Sequence, residues 1–362
     1  MKKLITLLNL FALTSVLAQP GAPATPYYNN FNWNQTGTNL KNALTTKITN
    51  SHTKSLNYTS PQPSVWNALK NVDVDPNNSN NVILIYGWEN GSDSDVTNDR
   101  SRNKNSNGGN SGEWNREHVY AQSVGNPDLG QSGPGADAHH LRASDVQRNN
   151  SRGNRLFTTG AGNSGAVGLY WYPGDEWKGD VARMMMYMYL RYGTQCLPTE
   201  IGTGTIVASD PNMLNLFLQW NADDPVSPYE DYRNTYLGNA SNTYGQGNRN
   251  PFIDNPFLAT VIWGGPVAEN RWPNVFLSSE DFVSLSNVMV YPNPSNIHRI
   301  NIQTEVVLDE IQLINLNGQL VQKINKPVGQ DNNYSLTDLP QGFYLLRLFS
   351  ENQTVTKKVI VN

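Results

Sequence analysis

Residues 115–123 read NREHVYAQS and set a carboxylate, Glu117, directly before an imidazole, His118, in a chain with only five histidines. The surrounding run WNREHVYA (114–121) mixes aromatic and β-branched residues with polar ones, which is compatible with a strand. After a glycine-rich connection, AHHLR (138–142) offers an antiparallel return strand. Ser144-Asp145 then supplies an N-cap for a short helix over VQRNNSRGN (146–154). The local order is strand, strand, helix. On a regular strand Glu117 and His118 point to opposite faces. Joint action on one group therefore requires the strand to end or bend there, or the group to sit at the strand's edge.

These residue types suit phosphodiester hydrolysis. A neutral imidazole, with an ordinary pKa of about 6.5, takes a proton from water near neutral pH. A hard divalent cation stabilises charge on the phosphoryl oxygens and the leaving oxygen, and it needs only one or two protein oxygens because it keeps most of its waters. A glutamate, a histidine base and one side chain from the helix suffice.

Beyond this block, 362 residues are enough for two folded units. The first twenty residues, MKKLITLLNLFALTSVLAQP, carry two lysines, a short apolar run and Val16-Leu17-Ala18, which predicts a cleaved export signal over 1–18. The apolar run is shorter than the roughly twenty residues a spanning helix needs. The single cysteine, Cys196, excludes an intrachain disulfide. A net charge of −4 argues against a broadly polyanion-binding surface, yet residues 100–155 hold eight Arg or Lys against five Asp or Glu. VILIYGW (82–88) predicts a buried strand, and the polar 98–112 an exposed loop. Asp73, Asp75 and Asn77 lack the central glycine and closing glutamate of a calcium loop and predict a turn. KGDVARMMMYMYLRYG (178–193) predicts a central buried helix stopped by Gly193, its methionines filling core.

After a linker over 276–287 the texture changes. Residues 288–362 alternate as RINIQTEVV, EIQLINL and QLVQKIN, with Asn317-Gly318 as a hairpin turn, and predict a small all-β sandwich. YPNP (291–294), NLNGQLV (315–321), LPQGFYLLRL (339–348) and the terminal TKKVIVN (356–362) resemble the C-terminal sorting domain of type IX secretion cargo. The resemblance implies export to the cell surface or medium, with the type IX secretion machinery as a partner.

The larger unit, over 19–275, resembles the endonuclease I family. EHV (117–119), DAHHL (137–141), NNSRGN (149–154), KGDVAR (178–183), DPVSPYEDYRN (224–234) and NRNPFIDNP (248–256) carry the likeness, in order, across about residues 60–265. It implies an α+β fold with a ββα-metal (His-Me) finger, nucleic acid as substrate, and Mg²⁺ as cofactor, with Mn²⁺ or Ca²⁺ as alternatives. By position, His118 matches the general base, Glu117 one metal ligand and Asn149 the other, with Asn150 as the alternative. The family commonly has an apolar residue where this chain has Arg148. Arg152, Arg142 and Arg249 are candidates for substrate contact, Arg152 equally for an internal carboxylate pair. Asp137, His139 and His140 are candidates for an outer shell. His52 and His298 carry no role.

The implied activity is a secreted endonuclease acting on DNA, RNA or both with little sequence preference, leaving 5′-phosphate and 3′-hydroxyl ends. Two other readings compete. One is a secreted glycoside hydrolase using Asp175-Glu176, and the other a non-catalytic surface adhesin whose sorting tail is its main feature.

Overall fold

The computed structural model describes residues 21–276, 288–304, 306–330, 332–350 and 353–362. The predicted export signal, and all of the predicted linker except Phe276, lie outside them. The chain divides into two compact units, Met1–Phe276 and Leu277–Asn362.

The first unit is built on the helix Lys178–Tyr192, whose residues from Gly179 to Leu190 are all buried. Its sequence is apolar on nearly every side, so helices must cover it all round. Gly37–Ser51, Asn215–Asp223 and Pro251–Asp254 do so. Met184, Met185, Met186 and Met188 fill the main core, and Gly193 ends the helix at φ 56°, a left-handed conformation that glycine adopts without a Cβ penalty. Asp180 and Arg183 stay inside because each is paired, Asp180 with Arg142 at 2.9 Å and Arg183 with Glu230 at 2.7 Å. Glu230 also completes a capping box with Ser227 at the start of the helix Pro228–Gly238.

Two local expectations shift, the strand over 82–88 and the exposed loop over 98–112, in which Asn98 and Arg102 are buried and Ser101–Asn103 is a strand. The strand predicted over 82–88 runs instead from Asn78 to Ile83, so its ladder begins in a polar asparagine-rich run and pairs with Val74–Asp75 and Ser101–Asn103. Leu84, Ile85 and Tyr86 are buried, but the pairing runs out here: the Leu84 amide still donates to the Arg100 carbonyl at 2.8 Å, the Ile85 amide donates instead to the Ala143 carbonyl at 2.8 Å, and Tyr86 turns to φ 74°. Asp73 is fully buried and accepts from the Ala143 amide, Tyr229 and Arg233, while Asp75 caps the Asn77 amide at 2.8 Å. The turn expected here is Pro76-Asn77, between two paired strands, with the Asp73 carboxylate anchored inside.

The opening block forms a hairpin. Trp114–His118 pairs antiparallel with Leu141–Asp145, with Glu117 opposite Arg142 and His118 opposite Leu141. The return strand begins at Leu141 because residues 138–140 are held in a turn, with the His140 amide on the Asp137 carbonyl. Asp145 then caps the helix Val146–Arg152, accepting from the Gln147 and Arg148 amides. A second core of Trp114, Leu141, Ala143, Val65, Leu69 and Leu84 supports this hairpin.

The second unit is all-β. One sheet holds Met289–Tyr291, Ile300–Gln303 and Asn333–Leu336, and the other Leu320–Asn325, Glu310–Asn315, Gly342–Ser350 and Gln353–Val361. Alternate residues such as Ile300, Ile302, Ile311, Leu313, Leu346 and Leu348 make its core. The Asn317-Gly318 turn forms as read, with Gly318 at φ 78° and Asn315 Oδ1 accepting two amides. Among the described residues, no helix is long and apolar enough to cross a membrane.

Candidate active site

The strand ends at His118, where its partner gives way to the turn over 138–140, and Arg152 holds that end. Its guanidinium reaches back from the last turn of the short helix and donates to the carbonyls of His118 (3.0 Å) and Val119 (2.7 Å). The Val119 carbonyl is thereby taken by a side chain, while the Val119 amide still donates to the His140 carbonyl at 3.2 Å. The same guanidinium lies 3.3 Å from Glu117 Oε1 and over the Phe157 ring. Glu117 also accepts from the Tyr86 hydroxyl at 3.0 Å. Burial pushes its carboxyl up to about 7, against the opposing pull of Arg152 and Tyr86.

His118 is 8% exposed. Its Nε2 lies 2.9 Å from the Gly135 carbonyl, which can only accept, so the ring hydrogen belongs on Nε2 and Nδ1 keeps the lone pair. The ring stacks on Tyr58 (centroids 5.2 Å apart) and tilts against His140 (5.6 Å). Burial first, then neighbouring His140, pulls its pKa down to about 3, so the imidazole is neutral at pH 7.

Asn149 stands on the helix facing this strand. Its Nδ2 donates to Asn115 Oδ1 at 2.8 Å, which leaves the amide oxygen as the end able to take a cation. Asn150 is exposed and does not line the site. Arg148, the departure from the family pattern, faces away: it lies flat over Trp88 at 4.5 Å and bonds the Thr97 and Ser164 carbonyls.

Glu117, His118, Asn149 and Arg152 meet at one open cavity of about 620 Å³, whose walls also include Arg116, Asp128 and Asn154. The cavity lies at the end of the strand, so neighbours on opposite faces both reach it. Among the described residues there is no cluster of three or more His, Cys, Asp or Glu side chains placed to hold a metal ion. A hard cation that keeps most of its waters needs no such cluster. A buried carboxylate with a raised pKa beside a free amide oxygen is a donor set that such a cation would suit.

Residues 36–257 match the family model described as Endonuclease I, and residues 289–362 the one described as Secretion system C-terminal sorting domain. The chain belongs to the endonuclease I family. An extracellular ribonuclease of Bacillus amyloliquefaciens is 44% identical over 266 residues, 70% of this chain and 84% of the relative. An extracellular ribonuclease of Bacillus subtilis (strain 168) is 43% identical over 266 residues, 69% and 84% of the two chains. This endonuclease I family member is thus a secreted nuclease with a type IX sorting tail.

The remaining predicted residues lie deeper in the endonuclease I domain. Arg142 is corrected as a substrate contact: it is fully buried and bound to Asp180, with Asp73 at 3.4 Å. Arg249 is corrected likewise, since Asp254 holds it through Nε and Nη2. Arg152 lines the cavity, but its Nη1 and Nη2 bond backbone carbonyls and Nη1 lies against Glu117, so the internal pairing is the role it fills, with Nε alone left without a partner. Asp137 accepts from Tyr187, Tyr192, Gln246 and the His139 amide. Burial alone would raise its carboxyl, but His139, His52 and these hydrogen bonds outweigh it and hold it well below the usual range. His139 bonds the Asn248 carbonyl at 2.9 Å, and His140 the Pro134 carbonyl at 2.7 Å beside the His118 ring. His140 thus touches the site from behind, and His139 is one layer further in. Asp175 and Glu176 are engaged separately, with Tyr172 and Arg100, and do not form a facing pair. Arg116 lines the cavity too and is not among the predicted site residues. Its only signal was the period of two that sets it on the face of His118.

Proposed function

We propose that the protein hydrolyses phosphodiester bonds of DNA, RNA or both, with little sequence preference and with Mg²⁺ as cofactor. The observation that carries this is the meeting of Glu117, His118 and Asn149 at one open cavity. The hairpin and its helix act as a ββα-metal finger, with Glu117 and Asn149 holding the cation. When bound, Mg²⁺ supplies Lewis-acid stabilisation of the phosphoryl and leaving oxygens.

His118 takes the proton of the attacking water at Nδ1, while Nε2 stays anchored on Gly135. Its low proton affinity keeps the lone pair free, and the phosphate anion of a bound substrate raises that affinity as transfer proceeds. Arg152 holds the strand end so that Glu117 and His118 face one phosphate. The water oxygen bonds to phosphorus as the bond to the 3′ oxygen breaks, and the departing 3′ oxygen takes a proton from solvent, giving 5′-phosphate and 3′-hydroxyl ends. The sorting tail delivers the enzyme through the type IX secretion machinery.

Purified full-length protein incubated with plasmid and with RNA, with Mg²⁺ or EDTA, tests this. Cleavage that EDTA abolishes, with ends that ligate without kinase treatment, is expected. Absence of metal-dependent cleavage of both polymers would overturn it. Glu117→Gln should raise the Mg²⁺ concentration for half-maximal rate by roughly tenfold or more.

A further inference from the structure

We propose that Arg116 grips a phosphate of the substrate backbone, with Tyr58 and Trp66 as the positioning residues that hold its guanidinium flat at the cavity wall. The proposal rests on the nuclease function above and adds a substrate-binding residue to it.

Arg116 lines the cavity beside Glu117 and His118. Its Cζ lies 3.5 Å from the Tyr58 ring centroid and 4.3 Å from that of Trp66. Nη1 donates to the Tyr58 carbonyl and, at 3.2 Å, to Thr59 Oγ1. Nε is enclosed without a hydrogen-bond partner. The group is thus fixed by two rings and the 58–59 backbone before any substrate arrives.

Charge pairing sets it apart from the buried arginines, and its place in the cavity wall sets it apart from half-buried Arg148, Arg155 and Arg191, which also lack an ion pair among the described residues. The buried arginines of this unit each have a carboxylate partner, as Arg152 has Glu117, Arg142 Asp180, Arg183 Glu230 and Arg249 Asp254. Among the described residues Arg116 has none, although it is half-buried. A partly desolvated guanidinium without a counter-ion is poised for an anion, and its planar fork fits a phosphodiester better than a point charge would. The alternation of the strand puts it two residues from His118 on the same face, so a phosphate held there is registered against the base. The charge of Arg152 is already paired with Glu117, whereas that of Arg116 is not, which gives this task to Arg116.

The test measures binding and cleavage of a short fluorophore-labelled RNA and a DNA of the same sequence by full-length wild type, R116Q and R116K. Binding is read by anisotropy in EDTA across a salt series, and cleavage in Mg²⁺. R116Q should weaken binding and raise KM about ten- to a hundredfold, with a smaller change in kcat. It should also reduce the salt slope of log affinity by about one. R116K should keep the wild-type slope with intermediate affinity. A folded R116Q with wild-type KM and slope would overturn the proposal. So would equal losses in R116Q and R116K with unchanged slopes, the pattern of a merely structural stack. If R116Q loses its cooperative melt, R116K decides alone: wild-type affinity, or a reduced slope, would overturn it. Failure of the wild type to cleave either polymer would instead sink the nuclease function itself.

Discussion

Arg152 donates to the carbonyl of His118 at 3.0 Å, and through this contact the end of a helix fixes the end of a strand. The pair solves the geometric problem posed by adjacent site residues. Removing the guanidinium leaves two buried carbonyls without a donor and Glu117 without its cation. Arg152→Ala should therefore cost about 3–5 kcal/mol of stability, as breaking a buried pair generally does. Among the molecules that stay folded, kcat should fall more than substrate affinity. Urea unfolding and steady-state kinetics check both. A variant as stable and active as the wild type would contradict the role.

Gly135 offers a second handle on His118 that touches no charge. A Cβ at this position would run into the carbonyl of Gly130, so the loop must move, and with it the carbonyl that holds His118 Nε2. Gly135→Ala should lower kcat about a hundredfold, the usual consequence of a small misplacement of a reacting group. The Mg²⁺ dependence should be unchanged, because Glu117 and Asn149 stand on other elements. A parallel loss of Mg²⁺ affinity would show that the loop supports the whole site.

Asp137 sets the acid limb of stability. Its folded-state carboxyl is held below the ordinary value of about 3.9, since His139, His52 and its hydrogen bonds outweigh burial. The carboxylate's contribution is therefore complete above the unfolded value and is lost as pH falls toward the depressed folded value. Unfolding free energy should drop between about pH 4 and pH 2 in the wild type, and part of that drop should be missing in Asp137→Asn. Identical pH profiles would show that Asp137 does not titrate as described.

Much of this was legible in the chain itself. Asp145 as a helix cap, the alternation of the tail and the apolar girth of 178–192 are local patterns, and each formed where its pattern stood. Placement of the arginines was not local. Arg142 is claimed by Asp180 and Arg249 by Asp254, and only the fold brings Tyr58 and Trp66, more than forty residues upstream, against Arg116. An arginine destined for a buried carboxylate is chemically the same as one destined for phosphate, so sequence alone assigned Arg142 and Arg249 to the wrong surroundings. The run 82–88 misled for a related reason: its apolar residues report burial, while the ladder follows backbone pairing and starts in the asparagines before it.

The proposed chemistry stands or falls on His118. Its neutral imidazole, anchored through Nε2 and stacked on Tyr58, is the only histidine among the cavity-lining residues. The decisive measurement is the cleavage rate of RNA and plasmid by His118→Ala in saturating Mg²⁺, beside the wild type and with a thermal melt of both. A folded variant slowed by about 10²–10⁴-fold is the predicted result. A folded His118→Ala that cleaves at nearly the wild-type rate would contradict it.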